Sequence, residues 1–252
     1  MRDGTMDGKG TASGYSWDHA DVFELVHAAK GRDWDAEADQ VAELIRSRLP
    51  DATSLLDVAC GSGAHLARFS EYFTRLEGVE ISEAMRKIAA VRVPDIPVHA
   101  GDLRDFDLGS TFDALTCMCF SIAYTRSVAE LNRAVATMAR HVKPGGVLVV
   151  EPWWFPDTFI DGFVGGSVVN EGGRVVSRVS HSVRKDGATH MTVRFTVADS
   201  AGIRDFTELE VCSLYSHEQY LEAFRRADVR AERVETSLSP NGNGLFVGVR
   251  EA

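Results

Sequence analysis

Nine residues, Leu55 to Gly63 (LLDVACGSG), carry the strongest chemical signal in the chain. An apolar run, Leu55 to Val58, gives way to Ala59, Cys60, Gly61, Ser62 and Gly63, after which Leu66 and Phe69 recur at helical spacing. That is the pattern of a buried parallel strand, a tight glycine turn and a helix whose first free amides face the turn. Two glycines without a Cβ let a ligand's adenosine come close to the backbone. The dinucleotide fingerprint asks for a third glycine where Leu66 stands, which argues against NAD and FAD. The next apolar segment, Leu76 to Val79, ends in Glu80, nineteen residues after Gly61. A carboxylate at the tip of a second strand accepts both hydroxyls of a ribose. A nucleoside without a diphosphate satisfies both features, and S-adenosylmethionine is such a ligand.

The elements that must hold these residues alternate between strand and helix. Strands are expected at 54–59, 75–80, 98–100, 112–119 and 147–151, with helices at 63–72, 83–91 and 127–140 between them. Ser82 is an N-cap, and Lys143-Pro144-Gly145-Gly146 is a turn that launches the fifth strand. Ahead of this core lie a short helix at 18–27 and an amphipathic helix at 34–49, whose Ala38, Val41, Leu44, Ile45 and Leu49 share one face. The expected fold class is α/β, a doubly wound Rossmann-like sheet, mostly parallel, with ligands at the carboxyl ends of its strands. After Glu151 the period changes to two. Segments 174–184, 189–198 and 203–214 alternate apolar and polar residues around Asp186-Gly187 and Ala201-Gly202 turns, as an inserted antiparallel sheet does. Its half-polar strands suit a cover over the site or a subunit interface. The main fold resumes with a helix at 216–227, a strand at 232–236 and a last strand, 245–249, as an antiparallel hairpin partner. The expected organisation is a polar leader at 1–14, a ligand-binding domain at 15–152 and 214–252, and the inserted sheet within 153–213.

The bulk composition narrows the function. At 252 residues and 44% hydrophobic content the chain buries one main core. A net charge of −10 without a basic run argues against nucleic acid and anionic membrane surfaces. No apolar stretch approaches the roughly 20 residues of a membrane span, and no secretory core is present, so a cytoplasmic location is expected. Cys60, Cys117, Cys119 and Cys212 have no metal-ligand spacing and read as buried thiols. The histidines are dispersed, and no metal is expected.

In combination, LLDVACGSG, Glu80, the Gly101-Asp102-Leu103 run and KPGG resemble the class I S-adenosylmethionine-dependent methyltransferases. More closely, DHADVFELV (18–26), EPWWFPDTF (151–159), RVSHSVR (178–184) and GLFVGV (244–249) resemble the N,N-dimethyltransferases of dTDP-linked amino sugars, the desosamine and mycaminose type. That likeness runs from Tyr15 to Val249. It implies that Asp57, Ala59 and Gly61 line the methionine moiety, that Glu80 holds the ribose, and that Ile81 packs on adenine while Asp102 bonds its amine. It adds Trp34, Met85, Gly101, Leu103 and Met118 to the cofactor contacts. Met118, Cys119 and Phe120 would wall cofactor from substrate, and a homodimer is implied.

Such a reaction needs little acid–base machinery. A neutral amine is a good nucleophile and a sulfonium methyl is already activated, so the protein must hold nitrogen, methyl and sulfur in line in a dry site. An ammonium must still lose a proton before each of two transfers. By position in the family, His27 and Tyr124 are the catalytic candidates, flanking the nitrogen as orienter and weak base. A sugar nucleotide's diphosphate calls for arginine forks, which Arg178 and Arg184 could supply with Ser180 beside them. Trp153, Trp154 and Phe155 are placed to stack on the base or wall the sugar. Tyr15, Phe120 and Ser121 complete the substrate side. One departure stands out: where relatives carry an arginine in a Gly-x-Gly loop, this chain has Asn243, which donates a hydrogen bond but no charged fork. That departure bears on which sugar is bound more than on the reaction. An O-methyltransferase, or an N-methyltransferase of another small molecule, remains the alternative.

Overall fold

The computed structural model describes residues 16–236 and 242–251; Tyr15 and the leader lie outside the described residues. Helices α1 (Trp17–Ala28) and α2 (Trp34–Arg48) precede a sheet built from β1 (Ser54–Val58), β2 (Arg75–Glu80), β3 (Val98–Ala100), β4 (Phe112–Cys117) and β5 (Val142–Val150). Between these strands run α3 (Ala64–Phe69), α4 (Glu83–Arg92) and α5 (Val128–Arg140). After the insert come α6 (His217–Arg226), β10 (Val229–Val234) and β11 (Leu245–Arg250). The spatial order is β10-β11-β5-β4-β1-β2-β3, with β11 antiparallel to both of its neighbours and the strands from β5 to β3 parallel. All five residues of β1 are buried, as the central strand of a sheet covered on both faces requires. The helices bury one stripe each: Ala38, Val41, Ala42 and Ile45 of α2 cover one face, and Leu131, Ala134, Val135 and Met138 of α5 the other. Ser82, Ser127 and Ser216 cap their helices by accepting the N–H of Met85, Glu130 and Gln219.

A second sheet, four antiparallel strands in sequence order, is formed by β6 (Phe163–Glu171), β7 (Arg174–Lys185), β8 (Ala188–Asp199) and β9 (Gly202–Ser213). Its inner face packs Val176, Met191, Val193, Phe195 and Val197 against Val22 and Val26 of α1. This sheet has one strand more than periodicity suggested. In β6 the Gly165-Gly166 pair interrupts the alternation that marks its neighbours, and the strand is recognisable through its pairing with β7 alone. Other boundaries shift for local reasons. β4 stops at Cys117 because Cys119 and Phe120 adopt left-handed backbone (φ 55° and 63°), which ends the ladder. β5 starts at Val142, so KPGG lies inside the strand as an irregularity in its pairing with β4. A Cβ at Gly146 would sit 2.7 Å from the Asp113 carbonyl oxygen, so the strands close over it only because it is glycine. The helix after the glycine turn is also shorter than expected, Ala64–Phe69.

A buried ionic lattice ties these elements together at the carboxyl end of the sheet. Arg32, in the α1–α2 connection, pairs through Nε with Glu37 of α2 at 3.0 Å and through Nη2 with both oxygens of Glu151 at 2.8 and 3.0 Å. Its Nη1 donates to the Cys119 sulfur. Glu151 also accepts the Cys119 backbone N–H at 2.7 Å, and Glu37 meets His65 Nε2 of α3 at 3.0 Å. The rings of Trp34 and Phe120 lie over the guanidinium at 5.2 and 5.0 Å. Removing one member of such a buried set strands the others as uncompensated charges. Arg32→Leu is therefore expected to lower the unfolding free energy by about 3–5 kcal/mol in urea titration, because Glu37 and Glu151 remain buried without a cation.

Candidate active site

The turn after β1 is shaped by backbone rather than side chains. Ala59, Gly61 and Gly63 all have positive φ (58°, 58° and 76°), so the chain reverses sharply and turns its amides inward. A Cβ on Gly61 would meet open space, consistent with a rim left clear for a ligand. Gly78 has a different reason: a Cβ there would lie 2.8 Å from Cys60 Sγ and 2.9 Å from Leu66 Cδ1, so Leu66 fills the space a third fingerprint glycine would leave empty. Glu80, at the tip of β2, accepts the N–H of Gly61 at 2.9 Å and of Ser82 at 2.7 Å. These two bonds aim its carboxylate across the turn.

Above this turn opens a cavity of about 490 Å³, a volume suited to a small ligand. One half is lined by Asp57, Ala59, Gly61, Glu80, Ile81, Met85, Gly101, Asp102, Leu103 and Met118, with Trp34 at its side. Asp57 is 1% exposed; its Oδ1 accepts from Thr116 Oγ1 at 2.7 Å, while Oδ2 has no partner among the described residues. Burial pushes its carboxyl up to about 6. Burial also holds Glu80 above the usual carboxylate range. Asp102 is held below it, since the Arg104 guanidinium and N–H together outweigh a burial that acts upward. Ile81, 40% exposed, offers a flat apolar surface beside them.

The other half reaches the second sheet. Ser121 and Tyr124, from a 3-10 turn, face His19 and Phe23 of α1 and Glu208 to Val211 of β9. Tyr124 donates to Glu210 Oε2 at 3.4 Å. Glu208 accepts the Ser16 hydroxyl at 2.5 Å. Burial, then Arg178 and Lys30, lower His19 to about 4, so it is neutral at physiological pH.

Several expected site residues lie outside this lining. His27 stacks on Phe23 at 4.4 Å and stands 6.3 Å from Trp34; burial, with Lys30 and Arg32 beside it, keeps it neutral. Phe120 covers Arg32 and meets Trp153 edge-on at 5.0 Å. The Trp153 indole N–H donates to Thr189 Oγ1 at 3.1 Å, docking the second sheet on the first. Phe155 is core, packed on His217 at 3.7 Å and edge-on to Tyr220 and Phe246. Trp154 is half-buried and away from the lining. Arg184 clasps its own connection, donating to the carbonyls of Pro156 at 2.6 Å and Phe159 at 3.3 Å. Asn243 donates to the Trp153 carbonyl at 3.1 Å. Arg178 is buried on the inner face of the second sheet, bonded to Ser180 Oγ at 2.9 Å and Met191 Sδ at 3.4 Å. Alternation along β7 does put Arg178 and Ser180 on one face, but Arg184, at the strand's end, is drawn to the loop.

A family model described as a methyltransferase domain matches residues 55–146. A dTDP-4-amino-2,3,4,6-tetradeoxy-D-glucose N,N-dimethyltransferase of Saccharopolyspora spinosa is 57% identical over 240 residues, 95% of this chain and 96% of its own. The chain belongs to the sugar N,N-dimethyltransferases. A second member, the dTDP-3-amino-3,4,6-trideoxy-alpha-D-glucopyranose N,N-dimethyltransferase of Streptomyces venezuelae, is 50% identical, with coverage of 93% and 99%. The S-adenosylmethionine-bound structure of CalS10, an amino pentose methyltransferase from Micromonospora echinaspora, superposes with a TM-score of 0.84 at 48% identity, covering 91% of this chain and 96% of that one. The protein is thus an S-adenosylmethionine-dependent N-methyltransferase. The residues fit that cofactor: the orphaned oxygen of Asp57 is the partner a cationic amino acid group needs, and the rim at Gly61 leaves its backbone open.

Among the lining residues not named as site candidates from the sequence are His19, Arg126, Glu208 and Glu210. A signal for the glutamates exists in the sequence. In β9 they share parity with Phe206 and Cys212, the buried side, while Leu209 takes the outer side at 60% exposure. An acid on the inward face of an alternating strand marks a site rather than a core.

Loss of the Asp57 charge removes a charge-assisted bond worth about 1.5–3 kcal/mol. Asp57→Asn should weaken S-adenosylmethionine binding at least tenfold in calorimetry. In the unmodified protein affinity should fall as pH drops through about 6, where Asp57 takes up a proton; the variant should lack that dependence.

Proposed function

We propose that this protein converts the amine of a dTDP-linked amino-deoxysugar, with nitrogen at carbon 4, to a dimethylamine. The observation that carries the reading is a single cleft with an adenosyl-shaped rim on one side and a polar wall from the second sheet on the other. The carbon-4 assignment is supported by the higher identity to the 4-amino than to the 3-amino relative. When bound, the cofactor supplies an activated methyl group. Asp57, Ala59 and Gly61 hold its amino acid end beside Trp34; Glu80 takes the ribose hydroxyls; Ile81, Met85, Gly101, Asp102 and Leu103 surround the base. Met118 and Ser121 separate the two halves, and the Tyr124 hydroxyl orients the nitrogen. Rate comes from alignment in a site with little water.

Arg178 is the proposed diphosphate contact. A buried guanidinium whose hydrogen-bond partners are a hydroxyl and a thioether carries a charge that no carboxylate meets within 4 Å among the described residues. A diphosphate would answer it. The second sheet thus serves as substrate cover. Its outer face, with Val164, Val168, Val179, Ile203 and Leu209 each at least 60% exposed, is the proposed contact of a homodimer. No helix among the described residues is long and apolar enough to cross a membrane.

Mass spectrometry of 4-amino, 3-amino and 2-amino dTDP-sugars after incubation with the methyl donor tests the reading. The 4-amino member should gain two methyl groups fastest; a faster gain by the 3-amino member would overturn the position assigned. Arg178→Gln should raise KM for the sugar nucleotide at least tenfold and leave kcat within a few-fold, because a charged pair to phosphate is worth about 1.5–3 kcal/mol.

A further inference from the structure

Glu210 is an acid in search of a cation. It stands on the inner face of β9, directly opposite Met191 of β8, and its carboxylate lines the cavity beside Tyr124. The Tyr124 hydroxyl donates to it at 3.4 Å, and no arginine, lysine or histidine nitrogen lies within 4 Å of it among the described residues. The groups that face it are few. Arg178 of β7 reaches the sulfur of Met191 next to it, Lys30 comes from the α1–α2 connection, Tyr124 from the 3-10 turn, and Glu208 and the buried Cys212 thiol from its own strand. His19 of α1 lines the same cavity and is neutral. Burial outweighs the two cations and keeps the Glu210 carboxyl above the usual range.

His27 is poorly placed for proton transfer, being off the cavity wall and stacked on Phe23. A sugar amine arrives protonated near neutral pH and needs both a counter-charge and a proton acceptor. We propose that Glu210 is a catalytic residue that binds the substrate ammonium and accepts its proton. The inference rests on the amino-sugar reading above. The N–H bond breaks with its electron pair left on nitrogen, the proton becomes the O–H of Glu210, and the lone pair is then a nucleophile. The acid returns its proton to water at the cavity rim, where Ser16 and Arg126 are exposed, before the monomethylated ammonium repeats the step. A carboxyl with a raised pKa suits this exchange better than an ordinary one.

Glu210→Gln and Glu210→Asp test it, with S-adenosylhomocysteine bound during calorimetry. Two ligands are compared: the dTDP-amino sugar and its analogue with hydroxyl in place of amine. Glu210→Gln should bind the amine at least tenfold more weakly and the hydroxyl analogue as the unmodified protein does. At saturating S-adenosylmethionine, which removes the Asp57 dependence, its kcat/KM should lose the limb set by the carboxylate and rise only as the free amine sheds its own proton, while Glu210→Asp should keep the carboxylate limb with a lower rate. Asp57 is present in all three proteins, so the comparison isolates Glu210. Equal loss of affinity for both ligands, or an unchanged carboxylate limb in Glu210→Gln, would overturn the proposal. No binding of any dTDP-amino sugar by the unmodified protein would instead sink the substrate reading, and this one with it.

Discussion

A guanidinium taken out of water costs several kcal/mol unless its charge and its donors are met. Arg32 is met on every side: by Glu37, by both oxygens of Glu151, by the Cys119 sulfur and by two aromatic faces. The consequence is geometric. The start of α2, the end of β5 and the residues just past β4 can be in one arrangement only, since each supplies part of the same coordination. Cys119 and Phe120 tolerate left-handed backbone because Glu151 holds the Cys119 N–H in place. Through Glu37 the lattice extends to His65 and thus to the helix behind the glycine turn. The floor of the cleft is fixed before any ligand arrives.

On that floor the two sheets divide the work. The parallel sheet offers what an adenosyl compound requires: a turn without side chains at Gly61, an acid at a strand tip and a buried carboxylate oxygen left without a partner. In the proposed function the antiparallel sheet meets the amino sugar, with inward acids on β9 and a buried arginine on β7. Trp153 is part of the joint between them through its bond to Thr189, and Asn243 holds the Trp153 carbonyl. Methyl transfer asks mainly for alignment, and a rigid joint between two half-sites supplies it.

Much of this was legible in the chain. The glycine turn and Glu80 form a local pattern with a fixed spacing, so the parallel fold and the residues that gather on one side of the cleft could be read directly. The alternation of β7 to β9 announced the second sheet, but the Gly165-Gly166 pair hid β6, which is recognised by its pairing with β7 from Phe163↔Ser182 to Glu171↔Arg174. The substrate half was less readable because it is assembled from elements far apart. Arg184 carries the right charge, yet its reach is to the carbonyls of Pro156 and Phe159, a contact no spacing encodes. Phe155 is one of three adjacent aromatics, and only packing tells it from the other two. Glu210 was in view as a parity inversion beside Leu209, a weaker cue than a motif.

The claim at the centre of this account is that cofactor and amino sugar share one cleft, adenosyl group on the parallel sheet and amine against β9. A crystal structure with S-adenosylhomocysteine and a dTDP-amino sugar tests it most directly. The account predicts the ribose at Glu80, the sugar nitrogen between Tyr124 and the cofactor sulfur, and the Arg32 lattice unmoved. A sugar nucleotide seated on the outer face of the second sheet, or an amine turned away from β9, would contradict it.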